Sequence, residues 1–265
     1  MNMPLYKMGV KSSWKMFVIF CAVLTMYFTI IITMFDPEMG NALAEFEKAM
    51  PELMAMVGMS GAGTTLAGFM ASYLYGFIML IFPMIFSIVV ANRLLSHHID
   101  HGSMAYLLAA PVGRIRIAFT QMKVLLSGIL LMIAFATMVG LISSEVLFPG
   151  ELDVVDYLIL NLGALALQLF IGSICFLSSS IFNESKLSIA FGAGIPALSY
   201  ILQMMANAGP DLEKIKYTTF FTLFNPKEII AGETSAYIGM LILAVGAVIL
   251  FGFAFVIFKK KDIPV

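Results

Sequence analysis

Charge is what this sequence has least of. Only 12% of its 265 residues are Asp, Glu, Lys or Arg, about half the share of a soluble domain. Hydrophobic residues make up 61% and the mean hydropathy is +0.98. One water-soluble core of this length cannot hide that much apolar surface, so the bilayer must be the solvent for most of the chain. Cysteine is scarce too: Cys21 and Cys175 each sit inside a long apolar run, which excludes a disulfide framework and reads as two small buried hydrophobes. The net charge of −1 gives no electrostatic footing for nucleic acid. No G-x-x-x-x-G-K-[ST] loop is present, so the chain has no phosphate cradle with which to hydrolyse ATP by that route. No A-x-A-like site ends the first apolar run, which is therefore expected to stay in place as a helix.

What is present is a series of uncharged runs. Six stretches lack Asp, Glu, Lys and Arg over a length that can cross the hydrocarbon: Met16–Phe35, Leu66–Asn92, Val124–Ser144, Tyr157–Asn183, Leu187–Pro210 and Thr234–Phe258. A helix needs about 20 apolar residues to span, and within lipid only helices or closed barrels satisfy their own backbone groups. These runs are continuously apolar and lack the alternation of barrel strands, so six transmembrane helices in one domain over 1–265 are predicted.

The basic residues fix an orientation. With the N-terminus inside, the inner segments hold eleven of the fifteen basic residues and only Asp100, Glu184 and Asp262 of the sixteen acids. The outer segments hold Lys48, Lys214, Lys216 and Lys227 with the other thirteen acids. The positive-inside rule therefore predicts a multi-pass cell-membrane protein with both termini in the cytoplasm. Lys7, Lys11 and Lys15 recur every fourth residue and Trp14 lies near the membrane edge, a pattern expected of an interfacial helix on the inner leaflet before the first span. In the first outer loop Leu43, Phe46, Met50, Leu53 and Val57 share one helical face behind a candidate N-cap at Asn41, which predicts a short amphipathic helix or an ordered loop. Before the last span, Tyr217–Phe224 is apolar but too short to cross and is followed by Asn225-Pro226, as in a re-entrant or interfacial turn.

The polar residues at depth are amides and hydroxyls, such as Asn161, Gln168, Gln203 and Thr137. They cannot titrate, and bonding between helices is their expected role. No charged residue lies within the six runs, so proton- or sodium-coupled transport lacks its usual residues. In the fifth run Ser188, Gly192 and Pro196 form a small-residue stripe, expected to pack inside the subunit, with a dimer contact as the alternative. His97 and His101 stand at i and i+4 with His98 and Asp100 beside them. The order H-H-I-D-H is not a zinc motif, and a solvated helix face is expected.

The second inner loop runs Asp100-His101-Gly102-Ser103-Met104-Ala105-Tyr106-Leu107-Leu108-Ala109-Ala110-Pro111-Val112-Gly113-Arg114. This resembles the first cytoplasmic loop of type-2 ABC transporter permeases. Gly102, Leu107, Leu108, Pro111 and Arg114 match that pattern, and Ser103 replaces its usual Thr. His98 stands where the family often has Glu, while Asp100 keeps some acidity. The basic ending Phe258–Ile263 and Leu223-Phe224-Asn225-Pro226 with Gly232 are similar to the family's tail and outer re-entrant hairpin.

The resemblance implies an all-α integral membrane protein: six spans, an N-terminal interfacial helix, a cytoplasmic coupling helix between spans two and three, and an outer hairpin before span six. It implies the membrane subunit of an ATP-driven exporter for an amphipathic or hydrophobic substrate, not itself an enzyme. Two copies would pair among membrane lipids, each docked on a separate cytoplasmic ABC ATPase that binds the ATP. No nucleic acid, metal or cofactor of its own is expected. Asp100, Gly102, Ser103, Leu107, Leu108, Pro111 and Arg114 would contact the ATPase. A non-pumping immunity or assembly protein and an integral membrane enzyme are the alternatives, since fold analogy alone does not set function.

Overall fold

The computed structural model describes residues 2–35, 49–58, 65–100, 113–208 and 210–261. Among these residues, six helices are long and apolar enough to cross a membrane. Helix α1 is Met3–Thr33. A short α2, Pro51–Met56, follows. Segments Leu66–Tyr73, Leu74–Ile78 and Met79–Leu94 run on as one rod, α3, whose middle segment is a π-turn. Next come α4 (Ser96–Asp100), α5 (Arg114–Leu147), α6 (Val154–Ile181) and α7 (Ser185–Asn207). Two 3-10 turns, Pro210–Thr218 and Phe220–Leu223, lead into α8 (Pro226–Ile230) and α9 (Thr234–Lys260).

The expected interfacial segment Leu5–Lys15 is continuous with the first span. Pro4 occupies the first turn, Asn2 Oδ1 caps it by accepting from Leu5 N at 3.2 Å, and no proline follows to break the rod. Its 31 residues extend roughly 46 Å against a hydrocarbon core of about 30 Å. The turns bearing Lys7, Lys11 and Lys15 therefore project beyond the apolar part. Helix α5 behaves alike: its 34 residues begin ten positions before the uncharged run, at Arg114. Of the amphipathic stretch in the first outer loop, the structure describes α2. Asn41, Leu43 and Phe46 lie outside the described residues.

Burial sorts the spans. The most apolar stretches of α3 and α6 are each 61% buried, whereas those of the other four spans are 22–33% buried. Helix α6 packs against α3, α5, α7, α8 and α9 and forms the centre of the bundle, while α1 lies mainly on α5. Exposed Ile19, Met138, Leu198 and Val248 mark lipid-facing flanks of α1, α5, α7 and α9.

Two prolines interrupt the spans around α6, and α6 repairs both. Pro83 in α3 has no N–H for the carbonyl four residues back, that of Met79. Gln168 Nε2 donates to Met79 O at 2.9 Å and to Leu80 O at 3.0 Å. Pro196 in α7 likewise leaves the Gly192 carbonyl without its donor, and Cys175 Sγ donates to Gly192 O at 3.2 Å. Gln168 and Cys175 stand two turns apart on α6. The stripe Ser188, Gly192 and Pro196, continued by Tyr200, is buried. Ser178 Oγ donates to Ser188 O at 2.8 Å, and the Ser179 and Ser188 hydroxyls are 2.9 Å apart. The stripe thus serves packing within the subunit.

Glycines let the 3-10 turns and α8 sink between α6 and α9. A Cβ at Gly163 would meet Ile229 Cδ1 at 2.8 Å and Phe224 Cε2 at 3.1 Å, and one at Gly239 would meet the carbonyl oxygen of Leu223. Gly163 lies nine residues into α6, so the segment reaches about 14 Å along that helix.

Two outcomes follow. Gln168→Leu should cost about 1 kcal/mol, the scale of interhelical hydrogen bonds in membranes. In a Pro83→Ala background, where the backbone donor returns, that cost should shrink; equal costs would show that Gln168 does not serve the Met79 carbonyl. A thiol-reactive dye reports unfolding, because Cys21 and Cys175 are both free and buried. Gly239→Ala should cost about 1–3 kcal/mol by overpacking. Gly252→Ala on the same helix meets open space and should be neutral or mildly stabilising.

Candidate functional site

At the face where the chain's ends lie, side chains tie segments far apart in sequence. Arg93 Nη1 donates to Ser12 O at 2.7 Å, Asn2 N to Thr120 Oγ1 at 3.1 Å, and Tyr6 OH to Ser127 Oγ at 3.0 Å. Of the residues singled out in the loop between α4 and α5, Asp100 and Arg114 flank it. Gly102, Ser103, Leu107, Leu108 and Pro111 lie outside the described residues, as does the pairing of His97 with His101. Asp100 ends α4, and its Oδ2 accepts a long bond of 3.4 Å from Ser185 N. Arg114 opens α5, and its Nη1 donates to Lys261 O at 3.0 Å. Lys261 in turn donates from Nζ to Phe182 O at 2.7 Å.

Both flanks of the loop therefore lead to the same short turn, Phe182 to Ser185, between α6 and α7. Asp100 reaches it directly and Arg114 reaches it through Lys261. Ser96 Oγ, one turn before Asp100, adds a bond to Ser179 O at 3.1 Å on the last turn of α6. Burial lowers the Lys261 ammonium from its ordinary value to about 8. The sequence gives no sign of this bridge, because nothing in the basic cluster Lys259–Lys261 tells which lysine turns back onto the protein.

At the opposite end lies a cavity of about 610 Å³. Its walls come from α2, α3, the last turns of α7, the 3-10 turns with α8, and the start of α9. The π-turn of α3 contributes Tyr75 and Gly76, and Gly76 packs on Gly58, whose φ of +76° a Cβ would strain. Thr222 Oγ1 donates to Gln203 Oε1 at 2.8 Å, and Gln203 Nε2 donates to Asn207 Oδ1 at 3.1 Å. Tyr200 is only 7% exposed, and its hydroxyl has no partner among the described residues.

The amides at depth divide by role. Asn161 joins helices, accepting from Tyr75 OH at 2.8 Å while donating to Tyr157 O at 2.8 Å. Gln168 does the same for α3. Gln203 instead joins α7 to the 3-10 turns, and Thr137 Oγ1 bonds within its own helix, to Ile133 O at 2.8 Å. No cluster of three His, Cys, Asp or Glu that could hold a metal occurs among the described residues. The arrangement can transmit displacement at one end and enclose a molecule at the other.

A comparison with curated proteins finds no match. The family model described as ABC-2 family transporter protein matches residues 7–263, which takes in all six spans, the loop flanks at Asp100 and Arg114, and the cavity. The chain belongs to the ABC-2 transporter family, and is a multi-pass membrane permease of an ABC transporter.

Proposed function

We propose that the chain is the membrane subunit of an ATP-driven exporter that moves an amphipathic or hydrophobic molecule across the cell membrane. Two copies pair, each docked through residues 101–112 on a cytoplasmic ATPase, with both termini on the cytoplasmic side. The family implies partnership with an ABC ATPase. The charge distribution supports the orientation: eleven of the fifteen basic residues fall on the face of the termini. The absence of charged residues from the six runs supports ATP in a partner as the source of work.

The observation that carries the reading is the double tie of the loop to one turn. A docked ATPase pushes on Leu107 and Leu108. Asp100 and the Arg114–Lys261 bridge carry the push to Phe182–Ser185, at the base of the central α6 and of α7. Helices packed as rods respond by tilting as bodies. The outer turns Phe220–Leu223 and α8, sunk to Gly163, then act as a re-entrant element that moves with α6. The family resemblance supports export over import, and the apolar and amide walls of the cavity support a hydrophobic or amphipathic cargo.

The test uses the permease co-expressed with its ATPase and reconstituted. Leu107→Asp should abolish co-purification of the two. Lys261→Met should leave co-purification intact but lower substrate-stimulated ATP turnover roughly two- to thirtyfold, the span of a coupling energy of about 0.5–2 kcal/mol. A permease that transports with no ATPase, or a Leu107→Asp variant that still binds it and transports, would sink the reading. Substrate-stimulated turnover would also count against a non-pumping immunity or assembly role.

A further inference from the structure

One stripe of α1 faces away from the bundle along the whole helix. Leu5, Gly9 and Ser13 turn inward in the first turns, and Cys21, Leu24 and Phe28 do so further along. Opposite them run Lys7, Lys11 and Lys15, all exposed. Ile19, Met26 and Ile30 continue the line, 62%, 50% and 48% exposed. Steps of four and seven residues keep these side chains on one helical face. The stripe therefore changes from cationic to apolar within the single turn between Lys15 and Ile19. The uncharged run that follows Lys15, Met16–Phe35, has about 20 residues, or about 30 Å of helix, the thickness of the hydrocarbon core. Lys15 thus stands at the hydrocarbon edge, with Lys11 about 6 Å and Lys7 about 12 Å further out along the axis. The polar layer on each side of a bilayer is about 5–8 Å deep. Headgroups meet Lys15 and Lys11 directly, and Lys7 lies within one screening length of them, about 8 Å.

The three ammonium groups have no counter-charge in the protein. None of them makes a hydrogen bond, an ion pair or a ring contact among the described residues. Other cations at this end are engaged: Arg93 Nη1 donates to Ser12 O at 2.7 Å, and Lys123 Nζ lies over the Phe119 ring, 4.7 Å from its centroid. Helix α1 carries no acid, and it packs on α3 and α5. Those two helices hold a single acid, Glu145, near the opposite end of α5. Trp14, 51% exposed, stands beside Lys15 at the boundary where amphipathic rings are favoured. A two-fold pairing of copies through this stripe would set lysine against lysine, which like-charge repulsion opposes. The stripe is continuous with a lipid-facing flank and lies at headgroup depth, so its complement is an anion that belongs to the bilayer.

We propose that this stripe binds anionic phospholipids of the leaflet on the side of the termini. Their phosphate-bearing headgroups sit at Lys7, Lys11 and Lys15, and their acyl chains lie along Ile19 and Met26. Each lysine close to an anionic membrane surface strengthens such binding about fivefold, the equivalent of about 1 kcal/mol. The contact also sets the height of α1, because charged side chains resist entering the hydrocarbon and the apolar turns above them resist leaving it. The bound lipid is the surrounding membrane and not the cargo, and holding it requires no ATPase.

Trp14 is the single tryptophan of the chain, so its fluorescence reads this stripe alone. The full-length chain, without any ATPase, is placed in phosphatidylcholine nanodiscs containing a minor fraction of lipid brominated on its acyl chain. That lipid is phosphatidylglycerol in one arm and phosphatidylcholine in the other. Half-maximal quenching should need more than about fivefold less of the anionic lipid, the scale of one lysine. Changing Lys7, Lys11 and Lys15 together to Gln should abolish this preference, and Lys7→Gln alone, two turns from Trp14, should lower it by up to about fivefold. Quenching by the zwitterionic lipid should stay constant in each variant, which checks fold and ring depth. Lys259→Gln with Lys260→Gln removes charge from the same face at the end of α9 and should leave the preference intact. Equal quenching by the two lipids, a preference that survives the triple change, or an equal loss in the α9 variant would overturn the proposal. So would a triple variant that keeps its lipid preference but no longer co-purifies with the ATPase, since the stripe would then belong to a protein partner. The lipid arms contain no ATPase, so this contact and the docking of Leu107 can fail separately.

Discussion

A peptide carbonyl inside a bilayer has no water to turn to, and two spans of this protein lose a backbone donor at depth. Pro83 strips one from Met79 and Pro196 strips one from Gly192. In each case the replacement comes from the neighbouring α6: the Gln168 amide for Met79 and the Cys175 thiol for Gly192. The two donors stand seven residues apart on α6, nearly two full turns, so they face the same way. Helices α3 and α7 are therefore fixed against one flank of α6 by position-specific bonds, where apolar side chains alone would let them slide. A thiol is a weak donor, which makes the α7 tie softer than the α3 tie.

That central placement gives α6 a part at both ends of the molecule. Its last turn and the turn after it receive Ser96, Lys261 and, through Ser185, Asp100. Nine residues in from its start, Gly163 receives Phe224 and Ile229. Helix α7 likewise begins at Ser185, beside the loop flanks, and ends at the cavity with Gln203 and Asn207. Its 23 residues make a lever about 35 Å long. On the exporter reading, one short turn is the place where a push enters, and the cavity is where the far ends of the levers diverge.

The spans were legible because lipid imposes one rule along the chain: twenty uncharged residues read the same whatever packs on them. The observed helices begin or end within a few residues of the uncharged runs, except where α1 and α5 continue into their basic turns. There the chain is helical because nothing breaks it, and charge marks only where the hydrocarbon stops. The stripe at Ser188, Gly192 and Pro196 was legible for a similar reason, since small residues every fourth position leave only close packing as an outlet. The roles of Gln168, Cys175 and Lys261 were not. Each depends on which backbone carbonyl a distant helix brings within reach, and no local pattern encodes that. The cavity was equally hidden, because its walls come from five separate stretches of chain.

The bonds that hold this bundle together at depth are neutral ones, and their size decides how it moves. A buried ion pair across two spans would cost several kcal/mol to break, and would lock the helices it joined. Interhelical bonds among amides and hydroxyls in membranes are worth about 0.6 kcal/mol on average, so several can re-form at once without a prohibitive barrier. The seam of α1 with α3 and α5 goes further. Ser13 Oγ, Asn92 Oδ1 and both ends of the Gln121 side chain are buried there without partners among the described residues. A displacement along that seam breaks no bond at these atoms, and a new register that brought any two together would gain one. On the exporter reading, the position-specific ties of α3 and α7 to α6 let those spans move as a group, while the seam beside α1, held by Arg93, Asn2 and Tyr6, also keeps unpaired groups that a new register could join.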